Sequence, residues 1–261
     1  LRPAHVPDQF EPEAVELAAS AGLFLDPWQQ LVLEEALGER ADGKWAAFEV
    51  GLVVPRQNGK GSILEALEMA CLFLFGDRLI LHSAHEFKTS SEAFRRVLTL
   101  VQSTPDLDRR VMKVRTSHGD EGIELRGGQR LRFVARSTGS GRGFSGDKVI
   151  LDEAYNLSAR AMAALLPTMA ARPNPQIWYT SSAPLVESHV LRQLCKRGRG
   201  GESQSLAFLE WCAGQDVDSD DPDAWCDSNP ALGYQTTEEF VTVEREALED
   251  ADFRRERLGI W

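Results

Sequence analysis

The sequence predicts an α/β fold with a mostly parallel central sheet flanked by helices, followed by a small C-terminal subdomain. Three observations predict it. Short apolar runs rich in β-branched residues alternate with stretches of helical periodicity, the order that builds parallel strands with helical crossovers. Two of those runs end in groups that belong at the carboxyl edge of such a sheet: the loop Val54-Pro55-Arg56-Gln57-Asn58-Gly59-Lys60-Gly61-Ser62 and the acidic pair Asp152-Glu153. Charge then changes character along the chain. From Ser203 to Trp261 fifteen acids face four arginines, whereas residues 1–202 carry twenty-five charges of each sign.

Residues 46–54, Ala46 to Val54, read as a buried strand entering the loop, and Ser62 to Phe75 as the helix leaving it. Leu79 to Ala84 is a second strand. The helix after it has a capping-box pattern, Thr89 with Glu92 three residues on, and an inward stripe of Phe94, Val97, Leu98 and Val101. Met112 to Thr116, Gly122 to Leu125 and Arg130 to Ala135 alternate like short strands, the last two joined by Gly127-Gly128 as a hairpin. Asp147 to Leu151 and Gln176 to Ser182 complete the buried strands. Lys196 to Gly201 reads as a glycine-rich junction, so residues 1–202 are expected to form the core and 203–261 a lid or linker. Within the latter, Ser205 to Trp211 is a strand, Asp216 to Asp223 an acidic loop, and Thr237 to Arg257 a helical stretch. Thr236 or Thr237 caps that stretch, with Glu238 and Glu239 in its first turn.

At 261 residues and 43% hydrophobic, the chain has enough apolar material for a sizeable core. No apolar run approaches the roughly 18 residues of a bilayer span, so no membrane partner is expected. Leu1 to His5 lacks a basic region leading into an apolar stretch, so no secretory signal is expected either. Cys71, Cys195, Cys212 and Cys226 show no C-x-x-C spacing and read as reduced thiols in a cytosolic protein. Between Arg109 and Lys148 ten basic residues face four acids. That surplus fits a polyanionic partner, and equally a solvated hairpin face.

The two loop motifs together read as an ATP-hydrolysing site. Lys60 after Gly59, between strand and helix, sets an ammonium beside phosphates while the helix start offers free N–H groups. Arg56 is placed to contact a phosphate. Asp152 is suited to the magnesium shell and Glu153 to orienting and deprotonating water. Two positions depart from the G-x-x-x-x-G-K-[ST] pattern: Val54 replaces the first glycine, and Gly61 replaces the hydroxyl residue that ligates magnesium. Ser62 or water is left to fill that place. Glycines on both sides of Arg142 suit an arginine reaching a neighbouring subunit's site; the alternative is a surface loop. Thr180, Ser181 and Ser182 stand at the same sheet edge, as γ-phosphate sensors or as caps of the next helix. Trp28 and Gln29 offer an aromatic plane and an amide for adenine, or simply a buried helix start.

The ordered set Trp28-Gln29, Pro55 to Lys60, Gly141-Arg142-Gly143-Phe144, Leu151-Asp152-Glu153-Ala154 and Thr180 to Ala183 resembles the large terminase subunit of tailed bacteriophages. Phe208 to Trp211, Asn229 to Leu232 and Phe253 to Leu258 extend the resemblance through nearly the whole chain. It implies a P-loop NTPase of the additional-strand, catalytic-glutamate type that binds ATP and Mg2+ and drives double-stranded DNA into a procapsid. It also implies that Trp28 and Gln29 form the adenine motif, and that Pro55, Arg56, Gln57, Asn58, Gly59, Lys60, Gly61 and Ser62 cradle the nucleotide. Asp152, with Ser62, would hold the metal. Catalysis would fall to Glu153, Lys60, Arg56 and a trans-acting Arg142, with Thr180, Ser181 and Ser182 as the coupling motif. Portal protein, small terminase subunit and a homo-oligomeric ring on the procapsid, in the host cytoplasm, are the implied partners and place. The resemblance stops where the family's nuclease begins, so no DNA cleavage is expected. A helicase-like translocase and a weakly hydrolysing nucleotide switch or scaffold are the alternative readings.

Overall fold

The computed structural model describes residues 10–136 and 146–261; Arg142 and its flanking glycines lie outside the described residues. The elements run α1 (Phe10–Ser20), α2 (Pro27–Ala36), β1 (Glu49–Val53), α3 (Lys60–Phe73), β2 (Leu79–Ala84), α4 (Phe87–Ser103), α5 (Pro105–Asp108), β3 (Val111–Arg115), β4 (Glu121–Leu125) and β5 (Arg130–Ala135). They continue through β6 (Lys148–Leu151), a 3-10 turn (Ala154–Asn156), α6 (Ala159–Met169), β7 (Gln176–Ser181), α7 (His189–Gly200), β8 (Leu206–Glu210), α8 (Pro222–Ser228), α9 (Glu238–Ala247) and α10 (Asp250–Glu256).

All eight strands form one sheet, in the order β3-β4-β5-β2-β6-β7-β1-β8. From β5 to β8 every neighbour is parallel; β3 and β4 add an antiparallel edge. The decisive feature is β7, inserted between loop-bearing β1 and acid-bearing β6, with Leu52 opposite Thr180 and Leu151 opposite Tyr179. The α/β class and the additional-strand type are therefore both present.

Side-chain alternation along these strands divides the core into two layers. Val50, Leu52, Ile80, Ile150 and Trp178 face the cluster under α1 to α4, while Val53, Leu81, Val149, Leu151, Ile177 and Tyr179 face α6 and α7. At the far end of the sheet Lys148 is fully buried, donating to Gln176 Oε1 at 2.8 Å and lying 4.1 Å from the centroid of Trp45. That partner and the aromatic face satisfy a polar group that has left water.

Three local expectations are corrected. Lys196 to Gly201 is no junction: α7 runs to Gly200, and left-handed Gly201 ends it. Gly198 serves helix packing, since a Cβ there would lie 2.2 Å from Phe208 Cγ. The helix after β2 starts at Phe87 behind Glu86, so Thr89 is not its cap. Thr237 to Arg257 is two helices, broken at Leu248-Glu249, so that Val241 and Phe253 both reach one small cluster with Ala213, Ala224, Trp225, Leu258 and Ile260. Of the two threonines expected to cap, Thr237 does so: its hydroxyl accepts from Phe240 N–H. Of residues 203–261, β8 is the edge strand of the main sheet, Trp211 and Trp261 pack on its two core layers, and α8 to α10 contribute to that separate cluster.

Candidate nucleotide-binding site

The loop from β1 to α3 turns on two left-handed residues, Gln57 (φ 60°) and Gly59 (φ 84°). Only glycine suits position 59, because a Cβ would also meet Gln235 Oε1 at 2.6 Å and Gln29 Nε2 at 2.9 Å. Lys60 opens α3, which therefore aims its unpaired N–H groups across the loop. The Lys60 ammonium donates to its own loop, to Val54 O at 3.0 Å and Pro55 O at 3.2 Å. Burial there lowers its pKa to about 8, with Asp152 acting in the opposite sense.

β7 supplies the link between the two halves of the site. Thr180 Oγ1 donates to Asp152 Oδ1 at 2.7 Å, and that same oxygen accepts Glu153 N–H at 2.9 Å. Ser181 Oγ accepts from Tyr155 N–H, and Ser181 O accepts from Val54 N–H at the head of the phosphate loop. Ser182 follows at the strand's end. The cap reading of this triplet is corrected, since α7 begins after Ser188.

Glu153 is the second non-glycine residue in left-handed backbone, φ 54° and ψ 47°. Arg136 holds it there. Its guanidinium donates to Ser83 O and Asp152 O at 2.6 Å and to Glu153 O at 2.9 Å, tying the ends of β2 and β6 together. Burial lowers the Arg136 pKa, with Asp152 and Glu153 raising it. Strain of this kind, about 1–3 kcal/mol, persists only where surrounding contacts over-determine it.

Other loop candidates serve the C-terminal unit. Arg56 is more than half exposed and ion-paired with Glu256 at 3.2 Å. Buried Asn58 donates to Pro55 O, Arg56 O and Asn229 Oδ1, and its own Oδ1 accepts from Ala231 N–H. Thr236 Oγ1 reaches Gln57 O at 3.4 Å. Gln29 is fully buried, donating to Gly59 O while accepting from Asp26 N–H, so it props the loop from behind. Trp28 is buried edge-on against Trp211, 5.3 Å between centroids. Asn229, Gln235, Glu256 and Arg136 carry no local signal for these contacts, because each partner lies far away in sequence.

The donor chemistry suits a hard cation. Asp152 provides a carboxylate oxygen facing the lysine-bearing loop, Gly61 provides no hydroxyl, and Ser62 is the third residue of α3. Among the described residues no group of three or more histidine, cysteine or carboxylate side chains gathers as a metal cage. Magnesium needs none, since it keeps several waters and takes much of its shell from phosphates. A cavity of about 420 Å³ opens beside the loop between α3 and α4, bordered by Gly61, Glu65, Glu68, Thr89, Glu92 and Asp152. Deep in it, Glu68 and His82 form a buried pair; each is pushed upward in pKa, Glu68 by burial and His82 by Glu68, against its own burial.

No protein-family model matches the sequence, and no curated protein does. Solved structures match throughout. The large terminase of bacteriophage HK97 superposes with a TM-score of 0.77 at 19% identity, covering 90% of this chain and 50% of that one. The fold is that of a large-terminase ATPase domain. The ATPase domain of the Thermus phage P74-26 large terminase aligns over 100% of this chain and 99% of its own, with a TM-score of 0.65 and 15% identity. A large terminase from a thermophilic bacteriophage, solved with ADP, covers 98% of this chain and 54% of that one at 10% identity and a TM-score of 0.61. This chain thus spans about half the length of two of these large terminase chains and nearly all of one terminase ATPase domain. Among the described residues, no helix is long and apolar enough to cross a membrane.

Proposed function

We propose that this chain is the ATPase motor of a phage terminase, hydrolysing ATP with Mg2+ to drive double-stranded DNA into a procapsid. The observation that carries the reading is the joined site: the lysine loop, the Asp152–Glu153 pair and Thr180 meet at one sheet edge because β7 lies between β1 and β6. The likeness to terminase ATPase domains supports it. Lys60 and the α3 N-terminus bind phosphates, Asp152 with Ser62 or water holds the magnesium shell, and Glu153 activates water. Arg142 acts in trans in a homo-oligomeric ring on the portal, which a small terminase subunit supplies with DNA. Thr180 to Ser182 transmit the nucleotide state, and the C-terminal unit acts as a lid on the loop. Trp28 and Gln29 support the adenine side from within the core. Magnesium, when bound, would supply charge neutralisation to the nucleotide phosphates; Asp152 with Ser62 or water would hold it, and Glu153 would orient the attacking water.

The direct test is Glu153→Gln in the assembled motor. Nucleotide binding is expected to persist while turnover falls by at least about a hundredfold, the usual scale of a lost general base. Retained turnover would remove Glu153 from its role. Strand separation by the same assembly would favour a helicase-like translocase, and binding without turnover a nucleotide switch.

A further inference from the structure

Gly61 leaves a gap on α3, and a carboxylate leans over it. Helical side chains tilt toward the N-terminus and meet those four places back on the same face, so a long side chain at position 65 covers the turn at position 61. Glu65 does this. A Cβ at position 61 would lie 3.5 Å from Glu65 Oε1, which therefore borders the space that the hydroxyl of the phosphate-loop pattern would enter. Ser62 is a poorer substitute: one residue further is a rotation of roughly 100° about the helix. Gly61, Glu65, Glu68 and Asp152 all border the cavity between α3 and α4, and Ser62 does not.

The cavity has the character of a hydrated cation's surroundings. Glu65 is only 8% exposed, and a carboxylate so buried is costly unless it is paired. Its ion-pair partner among the described residues is Arg96, 3.7 Å away, more than half exposed and shared with Glu92 at 3.4 Å. Deeper in the wall, Glu68 Oε2 and His82 Nε2 are buried with no hydrogen-bond partner among the described residues, polar atoms of the kind that ordered water satisfies. Both hydrogen bonds to the Asp152 carboxylate, from Thr180 Oγ1 and Glu153 N–H, fall on Oδ1, which leaves Oδ2 for a metal shell.

We propose that Glu65 is a metal-positioning residue: its carboxylate holds the water that takes the place of the missing hydroxyl in the magnesium shell. The proposal rests on the ATPase reading above and deepens it by naming the group that compensates for Gly61. A cation that keeps several of its waters and is fixed by one or two carboxylates beside substrate phosphates can be gripped in this way.

The test is binding of the β,γ-imido analogue of ATP, which needs no turnover, by calorimetry at stepped Mg2+ concentrations in wild type, Glu65→Gln, Gly61→Ser, their double variant and Arg96→Gln. Glu65→Gln keeps the size of the side chain and is expected to raise the Mg2+ midpoint about tenfold, the usual scale for an outer-shell partner. Its Mg2+-free affinity for the analogue should not fall, which also shows that it has folded. With serine at position 61 the hydroxyl is restored, so the same Glu65→Gln change should move the midpoint by under about twofold. Arg96→Gln removes the competing partner and should leave the midpoint at or below that of wild type. An unchanged midpoint in Glu65→Gln overturns the proposal, as does an equal rise with serine at position 61. A rise in Arg96→Gln as large as that in Glu65→Gln would reduce Glu65 to a brace between α3 and α4 and overturn it too. Wild type that binds no nucleotide sinks the ATPase reading and this inference together, whereas binding with a midpoint indifferent to Glu65 sinks the inference alone.

Discussion

The guanidinium of Arg56 faces the carboxylate of Glu256 at 3.2 Å, and Arg56 N–H donates to Glu256 O at the same distance. The C-terminal unit therefore occupies the loop arginine that sequence reading assigns to phosphate. An ion pair this exposed is worth under about 1 kcal/mol, so a nucleotide phosphate can displace it. Glu256→Gln should tighten nucleotide binding by about three- to fivefold, read by titration calorimetry at fixed ionic strength. Unchanged affinity would mean that Arg56 does not reach the nucleotide.

Gly61 is the departure from the phosphate-loop pattern, and its surroundings can take a side chain. A Cβ there would lie 3.4 Å from Arg96 Nη1 and 3.5 Å from Glu65 Oε1, ordinary contact, and its backbone is helical. Gly61→Ser should fold, gain a few tenths of a kcal/mol from helix propensity and lower the Mg2+ concentration for half-maximal ATP binding severalfold. A magnesium titration of nucleotide binding checks this, and an unchanged midpoint would show that another group fills the position.

Lys60 gives the site a pH signature. Its pKa of about 8 in the folded chain lies below the ordinary lysine value of 10.5, because burial disfavours the ammonium. Nucleotide phosphates would restore the charge, so binding at pH 8–9 should take up protons, visible as buffer-dependent enthalpy in calorimetry. The unfolded chain holds the proton up to about pH 10.5, so this group's cost to the folded state is complete below pH 8 and fades as pH rises through that window. Lys60→Met should flatten that part of the pH–stability curve.

Gly198 sets how closely α7 approaches β8. Gly198→Ala would drive a methyl into the Phe208 ring, with Cγ 2.2 Å and Cδ1 2.3 Å from the new Cβ. Despite the better helix propensity of alanine, a loss of about 1–3 kcal/mol is expected in urea unfolding. Gly200→Ala, which meets nothing within 4 Å, should cost nothing of this kind.

Much of the site was legible because its parts are local. Strand, glycine turn, lysine and helix lie within one stretch, and Asp152 and Glu153 follow their own strand directly, so periodicity and residue chemistry suffice to find them. Thr89 shows where that reasoning stops. A Thr-x-x-Glu spacing has the same pattern whether or not it caps a helix, and only the approach of the β6 end turned this hydroxyl toward Glu153. Gly198 reads as a helix breaker for the same reason, since nothing local announces the Phe208 ring beneath it.

By itself, then, the sequence determined the strands of the sheet and which side chains are candidates for phosphate, metal and water, because those depend on spacing and chemistry within a few residues. Tertiary structure alone decided which of them meet. It inserted β7 so that Thr180 touches Asp152, folded Asn229 and Glu256 onto the phosphate loop, and turned Glu153 toward α4. The reason is physical: such contacts join residues far apart along the chain, and they form only once burial of the two apolar layers has ordered the sheet that carries them.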